Sequence, residues 1–395
     1  MAQRNSGIPR SAICVVIDRL SAGFIGAFGN TWARTPQIDR LASQSLVFDR
    51  ALIDSPSLQQ AYRGYWFGQH AASPSGDESR PSLMTSAAQQ EIPSILVTDA
   101  AEVRDFKIAA EFSRTVQVQV EPSATCCDAI EDTHLANFFA SAMDVLSGID
   151  APSLLWIHTR GLAAPWDAPL DFRNDYAAED DPAPPANVQV PSFQLAGGYD
   201  PDDLLGVVHS YAGQVTLLDA CLGAFIQAVD ESPFGENTLL AVVSPRGFPL
   251  GEHLVVGAEG DRAPLYSELV HVPWLIRFPG GRGAACRSSE FVQPADFFHM
   301  VTAAHGAESV AGPAKNRAVV IGDTGEYAIR TPAWYMKSAV ADSPELFRKP
   351  DDRWDVNNVA DLCPEIIEKL ELAFKQARRG DMNAPLDELL VTGIE

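Results

Sequence analysis

Residues 12–20 read AICVVIDRL, a continuous apolar and β-branched run that ends in the charged pair Asp18-Arg19. Such a run is typical of a strand buried on both faces of a parallel sheet, since a strand with one solvated face would alternate apolar and polar residues. We therefore predict a buried strand that ends at Asp18. Similar runs recur at residues 153–158, 238–243 and 272–278.

Helical patterns separate these predicted strands. After Pro36, the apolar residues Ile38 and Leu41 keep a helical spacing, and a longer stripe from Val208 to Val229 repeats at intervals of three and four. Strands that alternate with helices predict a doubly wound α/β sheet. The length of 395 residues fits one large α/β domain with a smaller companion.

The pattern predicts two units, residues 1–308 as the large α/β domain and residues 309–395 as a small C-terminal subdomain. The second unit contains short strand candidates and a final helix from Pro364 to near Gly380, with proline and glycine at its expected ends. Residues 167–203 are rich in Asp, Pro and Ala and have no sustained period. We predict that this segment is a long surface excursion.

The charge balance excludes several partners. Lys and Arg total 29 against 52 for Asp and Glu, which gives a formal net charge of -23. Such a surface repels nucleic acid and anionic membranes unless a local basic patch overrides it. The sequence has no Lys/Arg-rich run that would form such a patch. We therefore predict that the protein binds neither nucleic acid nor membrane.

The cysteines and the N-terminal residues help to predict the cellular compartment of the protein. The six cysteines have no CxxC spacing and form no cluster typical of a zinc site. Residues 1–10 are polar and lack the apolar run of a signal peptide. No stretch approaches the roughly 18 uninterrupted apolar residues that a membrane helix needs. These features predict a cytoplasmic protein.

A series of short motifs runs in order along nearly the whole chain. The motifs lie at residues 16–20 (VIDRL), 26–30 (GAFGN), 35–42 (TPQIDRLA), 48–56, 211–223, 237–253, 271–280 (HVPWLIRFPG), 345–347 (ELF) and 357–360 (NNVA). In this order they resemble the motifs of the sulfatase family, within the alkaline phosphatase superfamily. The resemblance implies a doubly wound mixed sheet flanked by helices, with a smaller C-terminal α+β subdomain.

The resemblance also implies a particular chemistry. Sulfatases use a nucleophile made by oxidising the Cys or Ser of a Cys/Ser-x-Pro-x-Arg motif to formylglycine. They hold a divalent cation, usually calcium, with several carboxylate and amide oxygens. Lys, His and Arg side chains neutralise the sulfate and protonate the leaving oxygen.

This sequence departs from the family at the nucleophile. Aligned from Ser55-Pro56, the nucleophile position is Leu58, the motif proline falls on Gln60 and the motif arginine falls on Tyr62. An aliphatic side chain can neither attack sulfur nor become an aldehyde hydrate. The site of the family nucleophile is therefore predicted to lack its reactive group.

No shifted alignment restores the motif, although Ser57 and Arg63 lie nearby. A motif that begins at Ser57 places Ala61 where the arginine is required. A motif that ends at Arg63 places Gln59 at the nucleophile. We keep Ser57 and Arg63 as candidate pocket residues only.

The family's metal positions are altered as well. Asp18 keeps the first carboxylate, but the positions of the other ligands fall on Arg19, Pro245 and Arg246. One carboxylate beside two guanidinium groups would present net positive charge to a hard dication. We therefore expect no metal at these positions.

Two further family positions have lost their polar side chain. The family's central His falls on Ala163, and by a looser alignment its Lys falls on Ala258. His158, at the end of a predicted strand, faces the same sheet edge as Asp18 and is either a ligand or acid, or a packed and hydrogen-bonded residue.

Two interpretations of the altered pocket remain open. Arg19 and Arg246 could form a residual anion pocket in place of the calcium charge. Alternatively, Asp18 and Arg246 form an ion pair that fills the metal position, which we favour because a buried carboxylate normally finds a guanidinium partner. The candidate pocket residues are Asp18, Arg19, Ser57, Arg63, His158 and Arg246.

The function that follows is a sulfatase-like protein without sulfatase catalysis, a pseudoenzyme with a binding or assembly role. Its partner is unknown, and a protein partner and a homo-oligomer are both open. The alternative is a hydrolase of sulfate or phosphate esters that uses relocated catalytic residues, so whether the protein is an enzyme stays open. No cofactor is expected, and Ca²⁺ is expected only under that alternative.

Overall fold

The apolar run after Ser11 forms a strand near the middle of an eight-stranded sheet. The computed structural model describes residues 11–73, 81–121, 123–257, 264–304, 315–322, 325–339 and 343–393. The strands of this sheet are β1 (Ser11–Ile17), β2 (Leu46–Ala51), β3 (Ser94–Thr98), β4 (Arg114–Gln117), β5 (Leu154–Thr159), β7 (Thr238–Val243), β9 (Trp274–Arg277) and β10 (Cys286–Val292). A separate pair consists of β6 (Phe193–Gln194) and β8 (Val255–Val256).

The sheet is mixed, with the strand order β10-β2-β9-β7-β1-β5-β3-β4. Strand β9 is antiparallel to both of its neighbours, β2 and β7, and every other neighbouring pair in this order is parallel. The carboxyl ends of β1, β5, β7 and β3 therefore meet at one edge. That edge is where open α/β sheets hold their ligands.

Helices cover both faces of the sheet. Ala12, Cys14 and Val16 of β1 face one apolar cluster, whereas the intervening Ile13 and Val15 face the other. Because both faces are covered, β1 is apolar throughout instead of alternating. The helices preceding the C-terminal unit are α1 (Pro36–Ser43), α2 (Leu58–Phe67), α3 (Leu83–Ala88), α4 (Ala101–Asp105), α5 (His134–Ser147), α6 (Leu170–Asn174), α7 (Pro201–Glu231), α8 (Ser267–Val270) and α9 (Pro294–Ala304).

A second sheet forms in the C-terminal part of the chain. Its four antiparallel strands follow the order β11-β12-β13-β14 and pack with a helix around a third apolar cluster. The strand and helix candidates of the sequence are confirmed here, and the boundary predicted between residues 308 and 309 lies outside the described residues. The elements are β11 (Ala318–Ile321), β12 (Tyr327–Arg330), β13 (Trp334–Ser338), β14 (Glu345–Arg348), α10 (Pro364–Arg378) and α11 (Glu388–Thr392).

The segment predicted as a surface excursion, residues 167–203, is mostly exposed or half-buried but contains regular structure. The segment contains α6, and α7 already begins at Pro201. The guanidinium of Arg173 is buried and donates hydrogen bonds to the carbonyls of Trp166 and Pro185. A polar side chain anchors the segment, so the sequence shows no apolar period that would have revealed it.

Helix α7 is the longest helix among the described residues. By length and composition alone it could cross a membrane, and within the described residues it alone meets that test. However, 67% of its most apolar window is buried inside the fold. Its apolar stripe is used to pack against the sheet and against α1, α5 and α6.

Candidate functional site

An ion pair joins the ends of two neighbouring strands. Asp18 follows β1 and Arg246 lies three residues after β7. The Arg246 guanidinium donates two hydrogen bonds to the Asp18 carboxylate, from Nε to Oδ1 and from Nη2 to Oδ2, each of 2.8 Å. Arg246 Nη1 also donates to the carbonyl of Pro56 at 3.2 Å, so the same side chain ties both strand ends to the segment before α2.

The pair is electrostatically matched. Asp18 is almost fully buried, and although burial alone would raise its pKa, the Arg246 charge and hydrogen bonds hold that pKa below the ordinary value. Burial would lower the pKa of Arg246, but Asp18 raises it above the ordinary value. Both shifts have the direction of a charged, paired carboxylate and guanidinium. The structure thus contains the ion pair that we favoured from the sequence.

Arg19 lies in a tight turn beside this pair. Its φ of 65° is left-handed, which is uncommon outside glycine and is kept only where the surroundings hold it. Here the hydroxyl of Tyr211 donates to the Arg19 carbonyl at 2.7 Å and accepts from the Ser21 N–H at 3.0 Å. Burial, followed by repulsion from Arg246, lowers the pKa of the Arg19 guanidinium to about 10.

A glycine allows the chain after β5 to approach this turn. A Cβ at Gly161 would lie 2.7 Å from Ile17 Cγ2 and 2.8 Å from the Asp18 carbonyl oxygen, and its φ is 51°. Only glycine fits both the contact and the backbone conformation. Ala163, the position of the family's central His, follows in the same turn and is half-buried.

The position assigned to the nucleophile begins helix α2. Leu58 is the first residue of α2, is buried and belongs to the apolar cluster on that face of the sheet. It lies two residues after Pro56, whose carbonyl binds Arg246. The sequence alignment therefore places Leu58 where the structure brings the α2 N-terminus against the Asp18–Arg246 pair.

Two candidates from the shifted alignments do not reach the pair. Ser57 precedes α2, and its side chain does not cap the helix. Arg63 donates to Gln60 Oε1 at 2.9 Å and to Gln69 Oε1 at 3.1 Å. Within the described residues, neither Ser57 nor Arg63 hydrogen-bonds to Asp18 or Arg246, so their proposed place in the pocket is not supported.

Tyr62 and His158 form a buried polar pair that the sequence did not reveal. Tyr62 takes the position of the motif arginine, and its hydroxyl lies 2.6 Å from His158 Nδ1 and accepts from Trp156 Nε1 at 3.3 Å. Burial raises the pKa of Tyr62 well above its ordinary value and lowers that of His158. A protonated tyrosine therefore donates to a neutral histidine.

The contact with Tyr62 determines which ring nitrogen of His158 carries the proton. With Nδ1 accepting from Tyr62, the ring proton lies on Nε2, which has no hydrogen-bond partner within the described part of the chain. Tyr62 and His158 are 96 residues apart, so only the fold could show their contact. At Nδ1, His158 is therefore the packed and hydrogen-bonded residue of the second interpretation, whereas its Nε2 has no partner within the described residues.

A carboxylate–histidine contact involves Asp99, the residue that follows the neighbouring strand β3. Asp99 Oδ2 lies 2.6 Å from His134 Nε2 and accepts from the Thr159 hydroxyl at 3.2 Å, while Asp99 Oδ1 accepts from the Arg160 N–H at 2.7 Å. Both side chains are buried. Sequence analysis missed this pair because neither residue belongs to a motif.

The side chains at this edge do not fit a calcium ion. Calcium takes six to eight oxygen ligands, whereas the one carboxylate at the family's metal positions has both oxygens bound to Arg246. Arg19 adds a second positive charge, and Pro245 offers no side-chain ligand. Among the described residues, no group of three or more His, Cys, Asp or Glu residues could hold a metal ion. Ala258, the looser lysine position, lies outside the described residues.

The architecture defines a class of protein. A mixed sheet with helices on both faces and a small antiparallel C-terminal sheet are the architecture that the resemblance to the sulfatase family, within the alkaline phosphatase superfamily, implies. A solved phosphonate monoester hydrolase from Agrobacterium radiobacter superimposes with a TM-score of 0.73 at 16% identity, covering 94% of this chain and 96% of that one. This likeness confirms the predicted fold.

The model of the sulfatase family matches residues 10–307, so the chain belongs to the sulfatase family. A Delta 4,5-hexuronate-2-O-sulfatase from Bacteroides thetaiotaomicron is 20% identical over 305 residues, covering 68% of this chain and 62% of that protein. Iduronate 2-sulfatase from Mus musculus is 21% identical over 347 residues, and the alignment covers 71% of this chain and 61% of that protein. The alignments span about three fifths of the length of these curated relatives.

Proposed function

We propose that this chain is a non-catalytic member of the sulfatase family that serves a binding or assembly role. The observation that carries the proposal is the bidentate Asp18–Arg246 ion pair at the family's metal position. The Arg246 guanidinium supplies one positive charge, and its hydrogen bonds engage both oxygens of the Asp18 carboxylate. The electrophilic role of a metal therefore has no counterpart at these positions.

The nucleophile position supports the same proposal. Leu58 is aliphatic and packed in the apolar core, and it begins the helix whose preceding segment binds Arg246. Nucleophile, metal ligands and the family's central His are changed together, whereas the glycines and strand cores that shape the edge remain. A protein that keeps this framework without its reactive groups is suited to binding rather than to turnover.

The alternative is ester hydrolysis by relocated residues, and it requires an activated nucleophile. Tyr62 is the hydroxyl in contact with His158, but it is buried and its pKa lies far above neutrality, so it does not ionise. His134 is engaged by Asp99. Within the described residues, no serine or cysteine side chain hydrogen-bonds to His134 or His158, so the nucleophile–base pair of a hydrolase is not formed.

Metal content and turnover, measured on one preparation, test the proposal. We expect no stoichiometric divalent metal by elemental analysis and no hydrolysis of aryl sulfates, aryl phosphates or phosphonate monoesters, with or without added Ca²⁺. An Asp18→Asn variant prepared in parallel identifies contaminating activity, which this change would leave unaltered. Bound metal together with turnover that Asp18→Asn abolishes would establish the hydrolase alternative.

A single substitution tests how far the site has departed from the family. We expect Leu58→Cys, produced in cells that oxidise sulfatase cysteines to formylglycine, to remain inactive towards aryl sulfates. The reason is that Arg19, Pro245 and Arg246 still stand at the metal positions. Measurable sulfatase turnover by Leu58→Cys would show that the pocket retains its catalytic capacity.

A further inference from the structure

A cationic cavity lies between the edge of the large sheet and the small antiparallel sheet. Its volume is about 290 Å³, and its walls come from β2, α8, β10, β12, β13 and the segment after β14. Its basic residues come from four different parts of the chain. They are Arg50, Arg287, Arg330, Lys349 and Arg353.

Two of these cations are neutralised by carboxylates. Arg287 Nε donates to Asp49 Oδ1 at 2.9 Å, and Lys349 forms a buried ion pair with Asp355. Asp49 is the one acidic residue among the residues that line the cavity. Arg287 and Lys349 thus each have a carboxylate partner. The three remaining cations of the lining are Arg50, Arg330 and Arg353.

Arg50, Arg330 and Arg353 form no ion pair of this kind, although the more distant Asp355 carboxylate attracts Arg330. Within the described residues, no carboxylate lies within ion-pair distance of any of the three. Arg50 lies over the ring of Phe291, 5.2 Å from its centroid, and Arg330 lies 6.0 Å from the same centroid. Arg330 otherwise donates to backbone carbonyls, among them that of Trp334 at 3.2 Å.

Burial and like charges both act on the basic side chains of this cavity. Burial, with the added repulsion of Arg50, lowers the pKa of Arg330 to about 9. Burial also lowers the pKa of His271 to about 4, and the charges of Arg353, Arg330 and Lys349 act in the same direction. Like charges that share a poorly solvated space repel each other, and a bound anion would relieve that repulsion.

The composition of the cavity lining contrasts with that of the whole chain. Five cations and one carboxylate line the cavity, whereas the chain has 52 acidic residues against 29 basic ones. Arg50, Arg330 and Arg353 contact aromatic rings and backbone carbonyls, but none of the three has a carboxylate partner in the described part of the chain. Guanidinium groups bind the oxygens of phosphate and sulfate bidentately, which makes arginine the residue preferred for these anions.

We propose that this cavity binds a phosphate or sulfate group through Arg50, Arg330 and Arg353. Apolar walls from Phe28, Leu52 and other residues complete it, and its volume approaches the roughly 300 Å³ at which small-molecule pockets begin. A small organic ester fits this combination of an apolar wall and a cationic one. The lining contains neither Asp18 nor Arg246, so this site is separate from the sulfatase-type site.

Calorimetric titration of the full chain at low ionic strength tests this site. The probes are phenyl phosphate, phenyl sulfate, inorganic phosphate and inorganic sulfate, with phenol as the uncharged reference. We expect saturable binding of at least one anion, and at least tenfold weaker binding for Arg330→Gln and for Arg50→Gln. Arg50→Gln is the safer variant, because the Arg50 side chain makes no hydrogen bond within the described part of the chain that folding would lose. Arg114→Gln, an exposed arginine on the far edge strand β4, is the matched control and should bind like the unchanged protein.

The outcomes distinguish an organic ester from an inorganic ion as the ligand, and they include results that would overturn the proposal. Tighter binding of phenyl esters than of inorganic ions identifies an ester as the ligand, and equal binding identifies the inorganic ion; either supports the site. No binding by any anion, or binding that Arg50→Gln and Arg330→Gln leave unchanged, would overturn it. Turnover is measured independently, so this result does not depend on whether the protein is catalytic.

Discussion

At the scale of single residues, we propose that the Asp18–Arg246 pair takes the place that a metal ion has in the family. A dication at a strand edge draws several oxygen ligands around one point, whereas a guanidinium matches one carboxylate in a plane. Arg246 uses its third nitrogen on the Pro56 carbonyl and so also holds the segment before α2. In the proposed function, the pair holds these segments together and supplies no Lewis acidity.

The first prediction concerns the loss of one partner. Arg246→Met leaves the buried Asp18 carboxylate without its counter-charge, and removal of one partner of a buried pair costs about 3–5 kcal/mol. We expect the free energy of unfolding, measured by urea denaturation at pH 7, to fall by that order. Arg114→Met, at an exposed position on β4, is the matched control and should change it by less than about 0.5 kcal/mol.

A double variant separates charge from packing. Asp18→Asn combined with Arg246→Met removes the unpaired charge, so it should be more stable than Arg246→Met alone. If Arg246→Met costs no more than Arg114→Met, the ion pair does not hold this edge together. If the double variant is no more stable than Arg246→Met, the loss comes from packing and not from the charge.

At the scale of elements, the segments that follow the parallel strands shape the edge. After β7 the chain turns through Ser244, whose hydroxyl donates to the Arg246 carbonyl at 2.7 Å. The N–H of Gly247 then donates to the Leu269 carbonyl at 2.8 Å, which fixes the segment against α8. The direction of the Arg246 side chain is thus set by the contact between this segment and α8.

The second prediction tests that contact. A Cβ at Gly247 would lie 2.1 Å from the Glu268 carbonyl oxygen, a backbone atom that cannot turn away. We expect Gly247→Ala to lower the free energy of unfolding by about 1–3 kcal/mol, the range for overpacking. The measurement is urea denaturation followed by circular dichroism.

The control for that substitution is another glycine. Gly148, at the end of α5, has a φ of -88° and no atom closer than 3.6 Å to an added Cβ. Gly148→Ala should therefore be neutral or stabilise by up to about 1 kcal/mol, through the unfolded state. Equal effects of Gly247→Ala and Gly148→Ala would show that the segment after β7 is not tightly held.

At the scale of the whole molecule, the sequence predicts the fold well because the fold depends on local patterns. The continuous apolar run of β1 indicates burial on both faces, and the ordered motifs indicate the family. Long-range polar contacts carry no such local signal. Tyr62 and His158 meet only because α2 and β5 pack together, and Arg173 anchors a segment that has no apolar period.

The Asp18–Arg246 site and the cationic cavity also differ in how far the sequence could predict them. The altered positions Leu58, Arg19 and Arg246 could be found by comparison with a known motif, and their pairing followed from elementary electrostatics. The cationic cavity could not be found, because its arginines are spread from Arg50 to Arg353 and form no basic run. The observation that the sequence has no Lys/Arg-rich run holds, but a search for runs cannot find cations that only the fold brings together.

A buried acid gives the third prediction, because it couples the stability of the whole molecule to pH. Asp54 is fully buried between the large sheet and β11, where its Oδ2 accepts from the Ala71 N–H at 2.9 Å. Burial raises the pKa of this carboxyl to about 7, whereas an unfolded chain has a value near 3.8. Between these values the folded protein holds a proton that the unfolded chain lacks, so this contribution is present at low pH and is lost as the pH rises through 7.

The change between pH 5 and pH 8 amounts to about 2–3 kcal/mol, since one pKa unit corresponds to about 1.4 kcal/mol. Asp54→Asn keeps an acceptor for Ala71 and cannot ionise, so its stability relative to the unchanged protein should improve by that amount from pH 5 to pH 8. Thermal and urea denaturation at both pH values measure it, and the exposed Asp361→Asn should show no such pH-dependent difference. All other titrating groups are common to the compared proteins and cancel, so a pH-independent difference for Asp54→Asn would mean that Asp54 is ionised in the fold at pH 5.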